Sequence, residues 1–316
     1  MDTDPASPLP LLPQAPKRDA LWAGYGFAAA GAALFSTKAI FIKLAYAEQI
    51  DAETLLALRM ALSLPFYLVI GFWSLKDRAR LGTPLPPAKL ILASALIGVL
   101  GYWVASYLDF LGLLYISAQF ERLILFTYPL FVVLFGAWFF GQKIRSAALA
   151  AFAISYVGLA LIFAEHLTLE GDDVVLGSAL VIAAAMAFGL YQLLAREAIA
   201  KVGPRLFTCI AMMGATVATF AAFLALRDAS LLIVSPTLFY YGILIAIFST
   251  VLPTFFLSEA LHRISAQANG IIGTLSPLVT IILAALILGE ALTPIGVIGT
   301  LLVLAGVGWF TLSERR

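Results

Sequence analysis

Charge is the scarcest ingredient of this 316-residue chain: 12% of its residues are Asp, Glu, Lys or Arg, whereas 62% are hydrophobic. Soluble globular chains are about a quarter charged, so this chain has too few charges to cover a water-facing surface. That excludes a soluble domain and points to a membrane protein. A formal net charge of +1 leaves no electrostatic footprint for nucleic acid or another polyanion. Cysteine occurs once, at Cys209, which excludes an internal disulfide framework and a Cys-built zinc site. The two histidines, His166 and His262, lie too far apart in sequence to suggest a metal cluster. Also missing are a nucleophile elbow, an Asp-rich diphosphate motif and a nucleotide-binding loop. We therefore read no catalytic residues, no metal, no cofactor and no ATP-driven pumping.

What is present is a series of long apolar runs. Proline, glycine and charge clusters divide them into ten spans, at 20–44, 52–74, 89–112, 117–140, 145–164, 174–196, 204–226, 236–261, 265–288 and 293–312. Each is near the roughly 20 residues that cross the hydrocarbon layer. The expected fold is an all-α integral membrane protein of ten transmembrane helices. Ahead of them, residues 1–19 hold Pro5, Pro8, Pro10, Pro13 and Pro16 and read as a disordered, Pro-rich cytoplasmic tail. Lys17-Arg18 before an apolar run imitates a secretory signal. The run continues past Lys38, too long for such a signal, and reads as a retained first helix.

The distribution of basic residues orients the spans. With a cytoplasmic N-terminus, the inner segments hold Lys17, Arg18, Lys76, Arg78, Arg80, Lys89, Lys143, Arg145, Arg196, Lys201, Arg205, Arg263, Arg315 and Arg316, and the outer loops hold Arg227 alone. Translocated loops are poor in Lys and Arg. Both termini are therefore expected in the cytoplasm.

The chain also writes one helix twice. ISAQFERLILFTYPLFVVLFGAWFFGQ runs from Ile116 to Gln142, and ISAQANGIIGTLSPLVTIILAALILGE from Ile264 to Glu290. At this offset of 148, Pro129 matches Pro277, Gly141 matches Gly289 and Gly158 matches Gly306. The repeat unit is five spans, an odd number, so the second copy enters the membrane inverted. The halves are residues 20–165 and 174–312, a five-plus-five inverted-topology repeat. Such repeats suit alternating access, in which two similar halves rock about one site.

The first half buries ionisable residues in its spans: Lys38, Arg59, Asp109, Glu121 and Arg122. Counting along the helices places all five in the outer third of the membrane. There they need partners or water, and an intramembrane charge is a functional-site hypothesis by default. Two readings stand. Either Arg59 pairs with Asp109 or Glu121 and locks helices together, or part of the set lines a cavity and contacts substrate. Three cations against two anions leave one positive charge over, which suits a carboxylate on the substrate. Glu121 and Arg122, being adjacent, are expected to diverge by roughly 100° rather than pair. Where the first copy has Glu121 and Tyr128, the second has Asn269 and Ser276; with Gly273 and Thr280 these form one polar helix face. The expected substrate-binding residues are Lys38, Asp109, Glu121, Tyr128, Asn269 and Ser276, and Arg59 and Arg122 are structural or substrate-binding charges. Pro129 and Pro277, inside spans and related by the repeat, are the expected gating hinges. Small residues in the fifth span (Ala147, Ala151, Ser155) and the tenth (Gly296, Thr300) suit close packing, within one chain or in a homodimer through those two helices.

Ten spans, the inverted repeat, Arg59, Pro129 with Gly141, Gly158, Pro277 with Gly289-Glu290, and Gly306 together resemble the EamA-type family of the drug/metabolite transporter superfamily. The resemblance covers residues 20–312. Gly141-Gln142 departs from the pattern, since the family usually has Glu after that glycine. The resemblance implies a carrier in the bacterial cell inner membrane for amino acids, their derivatives, nucleobase-like compounds or other small metabolites, with the fifth and tenth helices outside the pathway. The expected function is a secondary transporter exporting small zwitterionic or anionic metabolites, with membrane lipid and substrate as its partners. The alternatives are an uptake permease for a vitamin- or nucleobase-like metabolite, a passive channel, and an integral-membrane enzyme acting on lipid-linked substrates.

Overall fold

The computed structural model describes residues 18–141, 146–170, 173–263, 272–273 and 275–313, and among these there is no strand. In chain order the helices are α1 (Arg18–Ala47), α2 (Ala52–Arg80), α3 (Ala88–Gly98), α4 (Ala105–Gly112), α5 (Ala118–Leu125), α6 (Tyr128–Phe140) and α7 (Ser146–Glu170). They continue as α8 (Asp173–Val202), α9 (Pro204–Leu226), α10 (Pro236–Ala246), α11 (Leu252–Arg263), α12 (Leu275–Leu283) and α13 (Pro294–Ser313). Short π-helical segments join α3 to α4 (Val99–Val104), join α10 to α11 (Ile247–Val251) and extend α12 (Ala284–Leu288). Eight spans are long and apolar enough to cross a membrane, and Leu275–Leu288 and Pro294–Trp309 are shorter apolar helices. The chain is an all-α membrane protein of ten transmembrane helices in two inverted sets of five. The start of the ninth span, with Asn269, lies outside the described residues.

The surface is that of a lipid-immersed bundle. Leu286 is 77% exposed and Trp138 78%, whereas Glu121 is 0% exposed. Hydrocarbon solvates the large apolar side chains and repels charge, so the charges turn inward.

The repeat is written into the backbone as well as the sequence. Gly141 and Gly289, at equivalent positions, both end their helices in the left-handed region, at φ 64° and 69°. Glycine takes this conformation without a Cβ clash. The π-helical segments of the third and eighth spans begin at Val99 and Ile247, again 148 positions apart. In the eighth span the cause is local. Pro253 has no N–H for the Ser249 carbonyl, and the Thr250 hydroxyl donates to the Ile245 carbonyl at 2.9 Å. In the third span, Gly98 and Gly101 lie against the Ala211 backbone and the Tyr191 ring, seating that span on α9 and α8.

The fourth span departs from the expected single helix. It ends as α5 near Phe126 and restarts as α6 at Tyr128, and the Thr127 hydroxyl donates to the Ile124 carbonyl at 2.6 Å across the break. Pro129 stands in the first turn of α6, where a residue without an N–H is tolerated because the first N–H groups of a helix have no intrahelical acceptor. Pro129 therefore does not kink a continuous helix; Pro277, its repeat mate, lies in α12 of the ninth span.

The small-residue rows of the fifth and tenth spans are engaged within the chain, α7 against α13. A Cβ on Gly158 would lie 2.5 Å from the Gly299 carbonyl oxygen, and one on Gly306 would lie 2.7 Å from that of Ala151. These neighbours are backbone and cannot swing aside. Gly158→Ala and Gly306→Ala should therefore each destabilise the purified protein by about 1–3 kcal/mol, read as a lower melting temperature in detergent. Melting at the wild-type temperature would show that the two helices separate at no cost.

The end of the bundle where α1 finishes is called distal here, the other proximal. At the distal end Asp51 caps α2, accepting from the Thr54 N–H at 2.9 Å and from its hydroxyl at 2.7 Å. Arg227, just past α9, reaches Asp51 at 3.5 Å and Glu53 at 3.2 Å, and the Tyr107 hydroxyl donates to Glu53 at 2.8 Å. Partial burial raises the Asp51 pKa, but the Thr54 hydrogen bonds and the Arg227 charge outweigh it, and the net value falls below the usual 3.8. Because the folded state depresses this pKa, the contribution is present above the unfolded value and is lost as pH falls through the folded one. Asp51→Asn keeps a capping side chain and removes the charge. Its deficit against wild type should be about 0.5 kcal/mol between pH 5 and 8, small because the pair is partly exposed. Melting curves down to about pH 3 should show the two proteins converging; a deficit constant with pH would assign it to the cap alone.

Candidate functional site

The site grows from the start of α5. A helix of eight residues is marginal alone, and its first N–H groups have no intrahelical acceptor. Here they are met from both halves of the chain. The Ser117 hydroxyl accepts from the Phe120 N–H at 3.2 Å. The Glu290 carboxylate, turned by Gly289, accepts from the N–H groups of Ala118 at 2.7 Å and Gln119 at 3.1 Å. A carboxylate also suits the positive end of the helix dipole. Glu290 enters the sequence reading only as part of a family pattern; its position one residue past a left-handed glycine is the signal that would have assigned it this task. His166 completes the corner, with Nε2 3.3 Å from the Ser117 hydroxyl and its ring stacked on Phe120.

Held in this way, α5 directs Glu121 and Arg122 toward α1 and α4. Lys38 Nζ on α1 lies 2.5 Å from Asp109 Oδ2 on α4 and 3.9 Å from Glu121 Oε1. Arg122 Nε lies 4.0 Å from Glu121 Oε2, so the adjacent residues do approach, contrary to the helical-angle expectation. The reason is length. The arginine stem folds back past Glu121 while its head donates to the Phe35 carbonyl at 2.9 Å. Two cations and two anions thus form one balanced cluster, and Asp109, Glu121 and Arg122 are all buried. Its hydrogen bonding is incomplete. Asp109 Oδ1, both Glu121 oxygens and Arg122 Nε find no hydrogen-bond partner among the described residues.

Arg59 lies within electrostatic range of Asp109 but makes no direct ion pair with Asp109 or Glu121; Lys38 makes the Asp109 contact. Arg59 Nη2 donates to the Tyr102 carbonyl at 3.3 Å, and its guanidinium sits 5.1 Å from the Phe110 ring centroid. Around the third span are the Tyr191 to Tyr102 hydroxyl bond at 3.0 Å and the parallel rings of Trp103 and Tyr107. Trp103 and Tyr107 also line a small distal cavity of about 40 Å³ with Glu53, Leu56 and Phe223.

A seam of hydroxyls joins α1 to the second half. The Ser36 hydroxyl meets Ser276 at 3.0 Å, the Thr280 hydroxyl donates to the Ser36 carbonyl at 3.0 Å, and Thr37 meets Ser249 at 3.0 Å. The structure therefore ties Ser276 to α1, two residues from Lys38. Ser36 and Thr37 were missed from sequence because hydroxyls in an apolar helix look the same whether they line a site or join helices. Tyr128 packs edge-on to Phe188 at 4.9 Å. Among the described residues no three His, Cys, Asp or Glu side chains converge as metal ligands would.

A helical bundle of two five-span halves with a charged cluster buried in the first half describes a multi-pass membrane protein. The EamA-like transporter family model matches residues 22–164 and 175–312, and the chain belongs to that family. It is 28% identical over 290 residues to the "Uncharacterized transporter YcbK" of Bacillus subtilis (strain 168), covering 88% of this chain and 89% of that one. A solved structure titled "Crystal structure of protein" superposes with a TM-score of 0.62 at 16% identity, over 94% of this chain and 98% of the other, a likeness of fold.

Two variants test how the cluster is held. Asp109→Asn removes the nearer acid of Lys38 and leaves it only Glu121 at 3.9 Å, and should cost up to roughly 3–5 kcal/mol of stability. The double variant Lys38→Met with Asp109→Asn should recover most of it; no recovery would show that the pair is not the unit that matters. Glu290→Ala should cost about 0.5–2 kcal/mol and speed hydrogen exchange at the Ala118 and Gln119 amides. Unchanged exchange there would mean that something other than Glu290 satisfies those groups.

Proposed function

We propose that this chain is a secondary transporter that exports small zwitterionic or anionic metabolites, amino acids or their close derivatives, by alternating access. The observation that carries the reading is the charged cluster of Lys38, Asp109, Glu121 and Arg122, buried in a bundle whose halves are inverted copies. A buried cluster with unfilled hydrogen-bonding positions can exchange an internal partner for a charged group on a substrate. Glu290 supports the rocking of the halves, since the second half holds the helix that carries Glu121 and Arg122. Pro129, at the restart of α6, and its repeat mate Pro277 are read as the places where each half bends. The family likeness supports a place in the inner membrane of a bacterial cell, and the Lys/Arg asymmetry between the two ends supports cytoplasmic termini. It is read as a carrier and not as an enzyme.

Proteoliposomes loaded with labelled amino acids and related acids test the activity. Substrate-dependent efflux or counterflow is expected, and chemical turnover without translocation would overturn the reading. Direction is tested in cells grown with toxic amino-acid, nucleobase and vitamin analogues: expression should confer resistance, and new sensitivity would indicate uptake. Orientation is tested with single cysteines after Cys209 is replaced. Cysteines at Asp51 and Arg227 should react with an impermeant thiol reagent in whole cells, and cysteines at Arg78 and Lys201 should not. The reverse pattern would turn the molecule over.

A further inference from the structure

The charge count leaves one cation over, and the geometry identifies it. Lys38 is matched by Asp109, and Arg122 by the Phe35 carbonyl and the nearby Glu121. Arg59 has no such direct match: the Asp109 charge acts on it from a distance, but no carboxylate among the described residues is in ion-pair contact with it. It is 4% exposed, its Nε finds no acceptor, and its one hydrogen bond among the described residues is the 3.3 Å contact to the Tyr102 carbonyl. The Phe110 ring face offers the cation some attraction, but a ring supplies no acceptors for a planar fork of five N–H donors. A structural arginine inside a membrane bundle is held by a carboxylate or by several carbonyls. This one is held by neither.

Its setting has a further feature. The Tyr102 carbonyl belongs to the π-helical segment Val99–Val104, whose inverted counterpart is Ile247–Val251. Such segments are frequent at functional sites because they re-aim side chains and loosen the hydrogen-bond ladder. Hydroxyl groups follow both segments: Tyr191 donates to Tyr102, and Tyr67 meets Thr254, which in turn bonds the Thr250 carbonyl. A buried guanidinium beside phenols and aromatic rings is a place for a planar anion with an apolar body. Arginine matches a carboxylate through two parallel N–H to O bonds, which a lysine cannot reproduce.

We infer that Arg59 is the anchor for the substrate's carboxylate, so that the transported molecules are compounds with a free carboxylate and an apolar or aromatic body. The inference rests on the transporter reading and adds to it the group that selects the substrate. The cluster of Lys38, Asp109, Glu121 and Arg122 sets two acids against two bases and is left for the amine of a zwitterion or for gating.

The test uses the purified full-length chain in detergent and matched acid–amide pairs: benzoate with benzamide, L-leucine with L-leucinamide, and L-phenylalanine with L-phenylalaninamide. Binding is read by thermal shift and by tryptophan fluorescence. At least one acid should bind while its amide does not. Arg59→Gln should weaken that acid by roughly 30- to 1,000-fold, and Arg59→Lys should recover part of the loss. Without any probe, Arg59→Met should melt at or above the wild-type temperature, because it removes an unmatched buried cation. Three results would overturn the inference: no acid binds, an acid and its amide bind alike, or acid binding survives in Arg59→Gln. Loss of folded protein in both Arg59→Gln and Arg59→Met, with Arg59→Lys intact, would also overturn it by showing a structural cation. Liposome assays separate the two claims. Carriage of an uncharged or purely cationic solute would sink the carboxylate anchor and leave the transporter, whereas acid binding without carriage of any solute would sink the transporter.

Discussion

A charge buried in a lipid-immersed bundle has no water to turn to, and the arrangement of this molecule follows from that constraint. Glu121, with no exposed surface, has to be placed near Lys38 and Arg122. That placement depends on α5, a helix too short to be secure by itself. Glu290, from the other half of the chain, supplies what α5 lacks. One carboxylate past the end of the ninth span thus supports the helix that presents the charged cluster. Because the two halves meet through this contact, a motion of one half relative to the other would be felt at the site.

The inverted repeat is visible in the backbone as well. Equivalent glycines end equivalent helices, equivalent π-helical segments interrupt the third and eighth spans, and Pro129 begins the second part of the fourth span. At each of these places the regular helical hydrogen-bond ladder is interrupted. The fifth and tenth spans behave differently. Gly158 and Gly306 bring α7 and α13 into backbone contact, which suits a rigid pair beside moving elements. The symmetry is not complete, and the asymmetry lies in the chemistry. The first half carries the charged cluster, and the second supplies Glu290 and the hydroxyl partners of Ser36 and Thr37.

Much of this was legible in the sequence. The apolar runs set the number of spans, since backbone groups in hydrocarbon must be satisfied within helices. An odd repeat unit of five spans required the second half to be inverted, and the ISAQ, proline and glycine matches gave its register. The surplus of one cation was also countable, and Lys38, Asp109, Glu121 and Arg122 could be named because an ionisable residue in an apolar run stands out. These features depend on composition and spacing along one chain, which a sequence displays directly.

The choice of partners was a different matter. That Lys38 and not Arg59 takes Asp109, that Arg122 folds back past Glu121, and that Ser276 is tied to Ser36 are decided by contacts between helices distant in sequence. So is the meeting of Glu290 with the start of α5. Counting along a helix gives depth and face, but not which neighbouring helix a face meets, nor how far a long side chain bends to reach its partner. The sequence alone determined that five ionisable residues lie inside the membrane with one cation in excess. Only the tertiary structure decided which cation that is, because pairing depends on distances across the bundle that no spacing along the chain encodes.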